Sequence, residues 1–156
     1  MRTIKLRPIT RFEFVPFGDV LDAADANPQI NYCIRILNSL DGARTNVSLF
    51  NSPVIALPSI ISVLERHPLS WQSYFPLGNT CYPVIVAQSG PYGAPDLDSL
   101  AAFLVPPGTS ISYYPKTWHA SMSSFSTPGH FVMIIEEFGT FEDCISLQID
   151  PFKIIE

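Results

Sequence analysis

The sequence predicts an all-β protein, and three observations carry that prediction. From Ile30 to Glu137 the apolar residues recur with a period of two rather than 3.6, in short runs rich in Val, Ile, Phe, Tyr and Thr. The runs are bounded by Pro, Gly, Asn and Asp, the residues that turns require. Fifteen prolines, about twice ordinary usage, fall mostly between those runs. Many short strands with turn-rich connections point to an antiparallel sandwich or barrel with a few short helices.

Taken in order, Ile4–Ile9 reads as a first strand. Thr10-Arg11-Phe12-Glu13 fits a capping box that opens a short helix, which Pro16 stops. Phe17-Gly18-Asp19-Val20 reads as a turn back into the body, and Asp22–Gln29, polar and containing Pro28, as a loop. Strands are then predicted at Ile30–Leu37, Thr45–Phe50, Ile60–Glu65, Trp71–Pro76, Tyr82–Ala87, Ala101–Val105, Ser110–Tyr114, Thr117–Met122 and Phe131–Glu137. Pro95–Leu100 is the one later segment that reads as a helical turn. With no repeat, low-complexity tract or linker, residues 1–156 read as a single domain.

Apolar residues make up 47% of the chain and charged residues 15%, against about 25% charged in an ordinary soluble domain. Mean hydropathy is +0.22. No apolar run approaches the roughly 20 residues of a spanning helix, so no membrane segment is expected. The apolar excess belongs in a core, a cavity or an oligomer interface, and a homodimer is expected. A net charge of −5 and scattered basic residues argue against nucleic acid as a partner. The N-terminus has no signal-peptide pattern, and Cys33, Cys81 and Cys144 show no paired spacing. They read as reduced thiols of a cytoplasmic protein that acts on a small molecule.

Two stretches carry the chemistry. After the turn Pro106-Pro107-Gly108, the chain sets Tyr113, Tyr114, Lys116, Trp118 and His119 close together. Histidine titrates near neutrality and suits proton transfer, with Tyr113 as a phenolic acid and Lys116 as a desolvated amine beside it. Upstream, Glu65 and His67 are alternate residues of a strand and share one face. Arg66 lies between them, and Trp71 and Gln72 lie just past the turn at Pro68. Glu65, His67, Gln72 and His119 form the donor set for a divalent metal, if one binds. The usual second histidine of such sites and any Cys/His cluster are absent from the sequence, so a cofactor-free site is expected. His130 reads as a surface turn residue. One of Glu136 and Glu137 should face inward, and Glu136 is expected among the binding residues. No Gly-rich phosphate loop and no Gly-x-Ser-x-Gly elbow occur, which argues against nucleotide binding and serine hydrolysis.

These blocks resemble the ureidoglycolate lyase family, a cupin β-barrel family of purine catabolism. Pro16–Val20 resembles its opening block. Leu64-Glu65-Arg66-His67-Pro68 with Gln72 and Phe75-Pro76-Leu77 resembles its first cupin motif. Pro95-Asp96-Leu97 with Leu100 and Ala102-Phe103 resembles a middle block, and Tyr113 with Thr117-Trp118-His119 its second cupin motif. Asp143-Cys144 matches a block near the C-terminus. The resemblance implies a jelly-roll-like cupin, commonly a dimer, with its site inside the barrel mouth and a divalent metal such as nickel or manganese as its cofactor. The sequence departs from the family at its polar positions. Asn51 and Ala101 stand where the resemblance expects arginines, and Trp71, Tyr114 and Lys116 replace other residue types. Arginine grips a carboxylate bidentately, so these departures imply a more apolar substrate. The leading expectation is a cofactor-free cyclase or isomerase that moves protons on a phenolic natural-product intermediate, as in fungal secondary metabolism. Ureidoglycolate cleavage to glyoxylate and urea is the alternative, and a non-catalytic ligand-binding cupin the third.

Overall fold

The computed structural model describes residues 1–25 and 41–156. The strand predicted at Ile30–Leu37 and most of the Asp22–Gln29 loop lie outside them. The described residues form β1 (Thr3–Lys5), β2 (Arg7–Pro8), α1 (Arg11–Phe14), β3 (Gly18–Asp22) and a 3-10 turn at Ala23–Asp25. Then come β4 (Arg44–Ser52), β5 (Ser59–Arg66), β6 (Gln72–Pro76), β7 (Tyr82–Ser89) and β8 (Pro95–Val105). The chain closes with β9 (Thr109–Tyr113), β10 (Trp118–His119), β11 (Gly129–Glu137) and β12 (Ile145–Ile155). The all-β cupin prediction is met.

The strands make two sheets, ordered β1-β12-β5-β10-β7-β8-β2 and β3-β9-β6-β11-β4. Only Leu6 separates β1 from β2, which pair in parallel with β12 and β8 at opposite edges of the larger sheet. The first eight residues therefore draw that sheet's two edges together. One core fills the space between the sheets, with Tyr74, Ile111, Tyr113 and Phe131 facing Val84, Val86, Ala101 and Phe103. A second core collects Ile85, Ala87 and Ala102, which alternate with these on β7 and β8, together with Leu64, Trp118, Leu6, Phe152 and Ile154. Residues directly opposite in the ladder share a face, so parity along each strand decides which core a side chain enters.

Thr10 caps the helix as predicted, and Glu13 reaches back to its hydroxyl. The Thr10 side chain accepts from the Glu13 amide at 3.2 Å, while the Glu13 carboxylate accepts from the Thr10 hydroxyl at 3.1 Å. Four segments differ from the sequence reading. Ile4–Ile9 is two strands, because its halves pair with different partners. Phe17–Val20 is not a turn; Gly18–Asp22 pairs with β9. A Cβ on Gly18 would lie 2.1 Å from the Ser112 carbonyl oxygen, so the glycine serves close strand approach. Pro95–Leu100 is strand rather than helical turn, since Pro95 and Asp96 pair with Ser89 and Gln88 across a bulge. β12 was not predicted: Pro151 interrupts its alternation, and the register against β5 shifts between Gln148 and Phe152.

Candidate metal centre

Glu65 is the last residue but one of β5, His67 follows the strand, and His119 ends β10 directly opposite Glu65. These three side chains place one ligand atom each within 4.8 Å of one another. The His67 and His119 rings stack at 5.6 Å, and Tyr113 lies on the far face of His119 at 4.2 Å with planes 12° apart. Gln72 pairs with Tyr113 in the ladder, so it stands on the same face. The predicted sharing of one face by Glu65 and His67 is what brings the group together.

Hydrogen bonding orients both rings. His67 Nδ1 lies 2.7 Å from the Asp143 carbonyl oxygen, and His119 Nδ1 lies 3.0 Å from that of Thr117. A carbonyl only accepts, so each ring donates from Nδ1, and in the neutral ring Nε2 keeps its lone pair. His67 Nε2, His119 Nε2 and Gln72 Oε1 are all buried, with no hydrogen-bond partner among the described residues. Each such orphan costs about 1–3 kcal/mol. Burial, followed by the neighbouring His67, lowers the His119 pKa to about 3, with the Thr117 bond opposing them. Its Nε2 stands 3.7 Å from Glu65 Oε1, too far for a hydrogen bond, and the neutral ring makes no ion pair. Two imidazole nitrogens, a carboxylate and an amide oxygen fit a divalent cation of the manganese-to-nickel kind. The carbonyls behind the rings are the outer partners that metal-binding histidines use.

The turn Tyr114-Pro115-Lys116-Thr117 supports both histidines. The Lys116 amide donates to the His67 carbonyl at 2.9 Å, and the Thr117 hydroxyl donates to the Phe17 carbonyl at 2.8 Å. Lys116 adopts φ +71°, a left-handed conformation usually left to glycine or asparagine. Tyr113 is buried, and desolvation followed by Tyr74, Tyr82 and Glu65 pushes its phenol far above the ordinary range. It stays protonated and forms a wall, so the acid role expected from sequence has no support from its environment. Desolvation likewise raises Tyr74.

Parity sends the remaining sequence candidates elsewhere. Trp118 enters the second core and donates from Nε1 to the Gly93 carbonyl at 3.0 Å; Arg66 lies over its ring at 4.9 Å and donates to the Ser89 hydroxyl at 3.2 Å. Trp71 and Tyr114 pack on each other with ring centres 4.6 Å apart. The Tyr114 hydroxyl donates to Asp19, which pairs with Ser112 on the face opposite Tyr113. Asn51 is exposed and bonded to His130 at 2.6 Å, so His130 is a surface residue as predicted. Glu136 is buried on the face opposite Met133 and Ile135. Glu137 is the one on the inner face, accepting from Asn46. The backbone carbonyls of Asp143 and Thr117 escaped sequence reading, because main-chain acceptors leave no residue-type signal.

A family model described as ureidoglycolate lyase matches residues 1–156. A protein named ureidoglycolate lyase 2 from Rhizobium meliloti is 32% identical over 145 residues, covering 86% of each chain. Ureidoglycolate lyases of Pseudomonas aeruginosa and Burkholderia mallei are each 29% identical, over 92% and 86% of this chain and 89% and 82% of their own. These names favour the lyase alternative over the cyclase expected from the lost arginines. With the cupin barrel, its inward Glu65-x-His67 pair and His119 in place, the match along the full chain decides the assignment: the protein belongs to the ureidoglycolate lyase family.

Proposed function

We propose that the protein is a cation-assisted lyase that cleaves ureidoglycolate to glyoxylate and urea. The observation that carries this reading is the convergence of Glu65 with the unpartnered, buried Nε2 atoms of His67 and His119, with the unpartnered Gln72 Oε1 on the same face, in a chain of this family. A divalent cation held by those four residues supplies Lewis acidity toward a substrate hydroxyl or carboxylate oxygen. The chain's own task is to move one proton and to keep water from the reacting carbon. Glu65 suits the proton: its side chain is 23% exposed against 2% for His119, and it is the one carboxyl group of the cluster. One carboxylate oxygen faces His119, and the other takes the substrate hydroxyl proton. The C–O bond becomes a carbonyl, the C–N bond breaks, and the departing urea nitrogen receives the proton from Glu65. His119, neutral at physiological pH, donates a lone pair rather than carrying the proton. Tyr113 and Tyr74 line the wall as phenols.

One observation favours a second reading. Ala101 pairs with Val86, which pairs with His119, so this apolar residue occupies the inner face where the family resemblance expects an arginine. Asn51, the other such position, is outside the site. An apolar or phenolic substrate that is cyclised or isomerised by the same proton transfer fits that wall. Exposed Val47, Leu49 and Ile60 support self-association as a homodimer. Free Cys81 and Cys144 suit the reducing cytoplasm. The described helices include none long and apolar enough to cross a membrane.

The test is urea release from racemic ureidoglycolate by protein loaded with manganese or nickel. Turnover near ~1 s⁻¹ is expected, falling by about 10²-fold or more in Glu65→Gln. No urea from folded, loaded protein contradicts the lyase reading and leaves the aromatic substrates.

A further inference from the structure

We infer that Asp143 is a positioning residue: its side chain folds the Phe138–Asp143 turn so that its main-chain carbonyl fixes the His67 ring with Nε2 facing the cation site. The role in cation binding rests on the reading above, whereas the fixing of the ring does not.

The carboxylate of Asp143 accepts the Phe138 amide at 2.9 Å and the Thr140 amide at 2.7 Å, while its own amide donates to the Thr140 carbonyl at 3.2 Å. Gly139, at φ +79°, takes the left-handed position that lets these amides converge. The side chain thus closes the turn on itself and leaves the Asp143 carbonyl oxygen pointing at His67 Nδ1, 2.7 Å away. On its other side His67 is held through its main-chain carbonyl by the Lys116 amide at 2.9 Å. The backbone of His67 is therefore fixed by one turn and its ring by another. A neutral histidine ring in water favours the proton on Nε2, which would block the nitrogen that points at Glu65 and His119. The Asp143 carbonyl reverses that preference. The corresponding acceptor for His119 is the Thr117 carbonyl, two residues before it, so the two rings have separate acceptors and the one at Asp143 can be perturbed alone.

The experiment reads ring tautomers in ¹⁵N-labelled protein without metal, by long-range ¹H–¹⁵N correlation. Three histidines make assignment by substitution simple. Wild-type His67 is expected with its proton on Nδ1. Asp143→Ala should move it to Nε2, leave His119 unchanged, and weaken cobalt(II) binding about 10- to 100-fold. Added to His67→Ala, the same change should cost no further affinity. Asp143→Asn keeps one carbonyl acceptor for the turn amides and should fall between; it serves if the alanine variant does not fold. A folded variant whose His67 tautomer matches wild type overturns the proposal, as does an additive loss in the double variant. A tautomer switch in a protein that binds no cobalt would uphold the positioning role and sink the cation reading.

Discussion

Arg66 and Trp118 are chain neighbours of Glu65 and His119, and strand parity sends the two pairs to opposite faces of the larger sheet. On the second-core side the polar groups are largely engaged. Trp118 donates to Gly93, and Arg66 donates to Ser89 while lying over the indole, with Arg66 Nε alone left over. On the lumen side the buried His67 and His119 Nε2 atoms converge on Glu65 with no hydrogen-bond partner among the described residues, and Gln72 Oε1 on the same face also lacks one. Packing alone explains the first arrangement but not the second. A chain retains convergent orphans at a cost in stability when something else satisfies them. The first face is therefore read as scaffold and the second as site.

Breaking the scaffold side should give the largest effect. Trp118→Ala empties a fully packed position and is expected to cost about 3–5 kcal/mol, measured by urea denaturation. Next comes the site side. His119→Leu should weaken cation binding about 100-fold or more, equivalent to about 2.7 kcal/mol. Unliganded stability should stay within about 1 kcal/mol, because the orphan Nε2 disappears along with the Thr117 bond. A large stability loss in that variant would place His119 with the scaffold. Arg66→Met keeps the aliphatic stem but removes the stacked guanidinium, for a loss of about 1–2 kcal/mol with cation affinity unchanged. Lys116→Gly relieves a left-handed lysine and should raise stability by about 0.5–1 kcal/mol. Activity lost in that more stable protein would show that the lysine side chain serves the reaction, and unchanged activity that only its amide does.

Much of this division was legible in the sequence. Alternation sufficed to put Glu65 and His67 on one face and to class the fold. Proximity in sequence misled where parity should have ruled: Trp118 next to His119, Trp71 next to Gln72 and Tyr114 next to Tyr113 were read as one pocket, yet each pair straddles a sheet. The same rule, applied from Phe131 inward, picks Glu137 over Glu136 once the register of β11 is known. The helical turn expected at Pro95–Leu100 reflected local turn chemistry, visible in the Asp98 amide bonded to the Asp96 side chain at 3.0 Å; pairing with β7 overrode it. The second ring carbonyl, at Asp143, lies 76 positions from His67, beyond any local pattern.

The most direct test of the division is calorimetric titration of manganese, nickel and cobalt into the unliganded protein. The account predicts one equivalent bound per chain, with affinity about 100-fold or more weaker in His119→Leu and retained in Arg66→Met. A folded wild-type protein that takes up none of the three ions, or a His119→Leu variant that binds them with wild-type affinity, would contradict it.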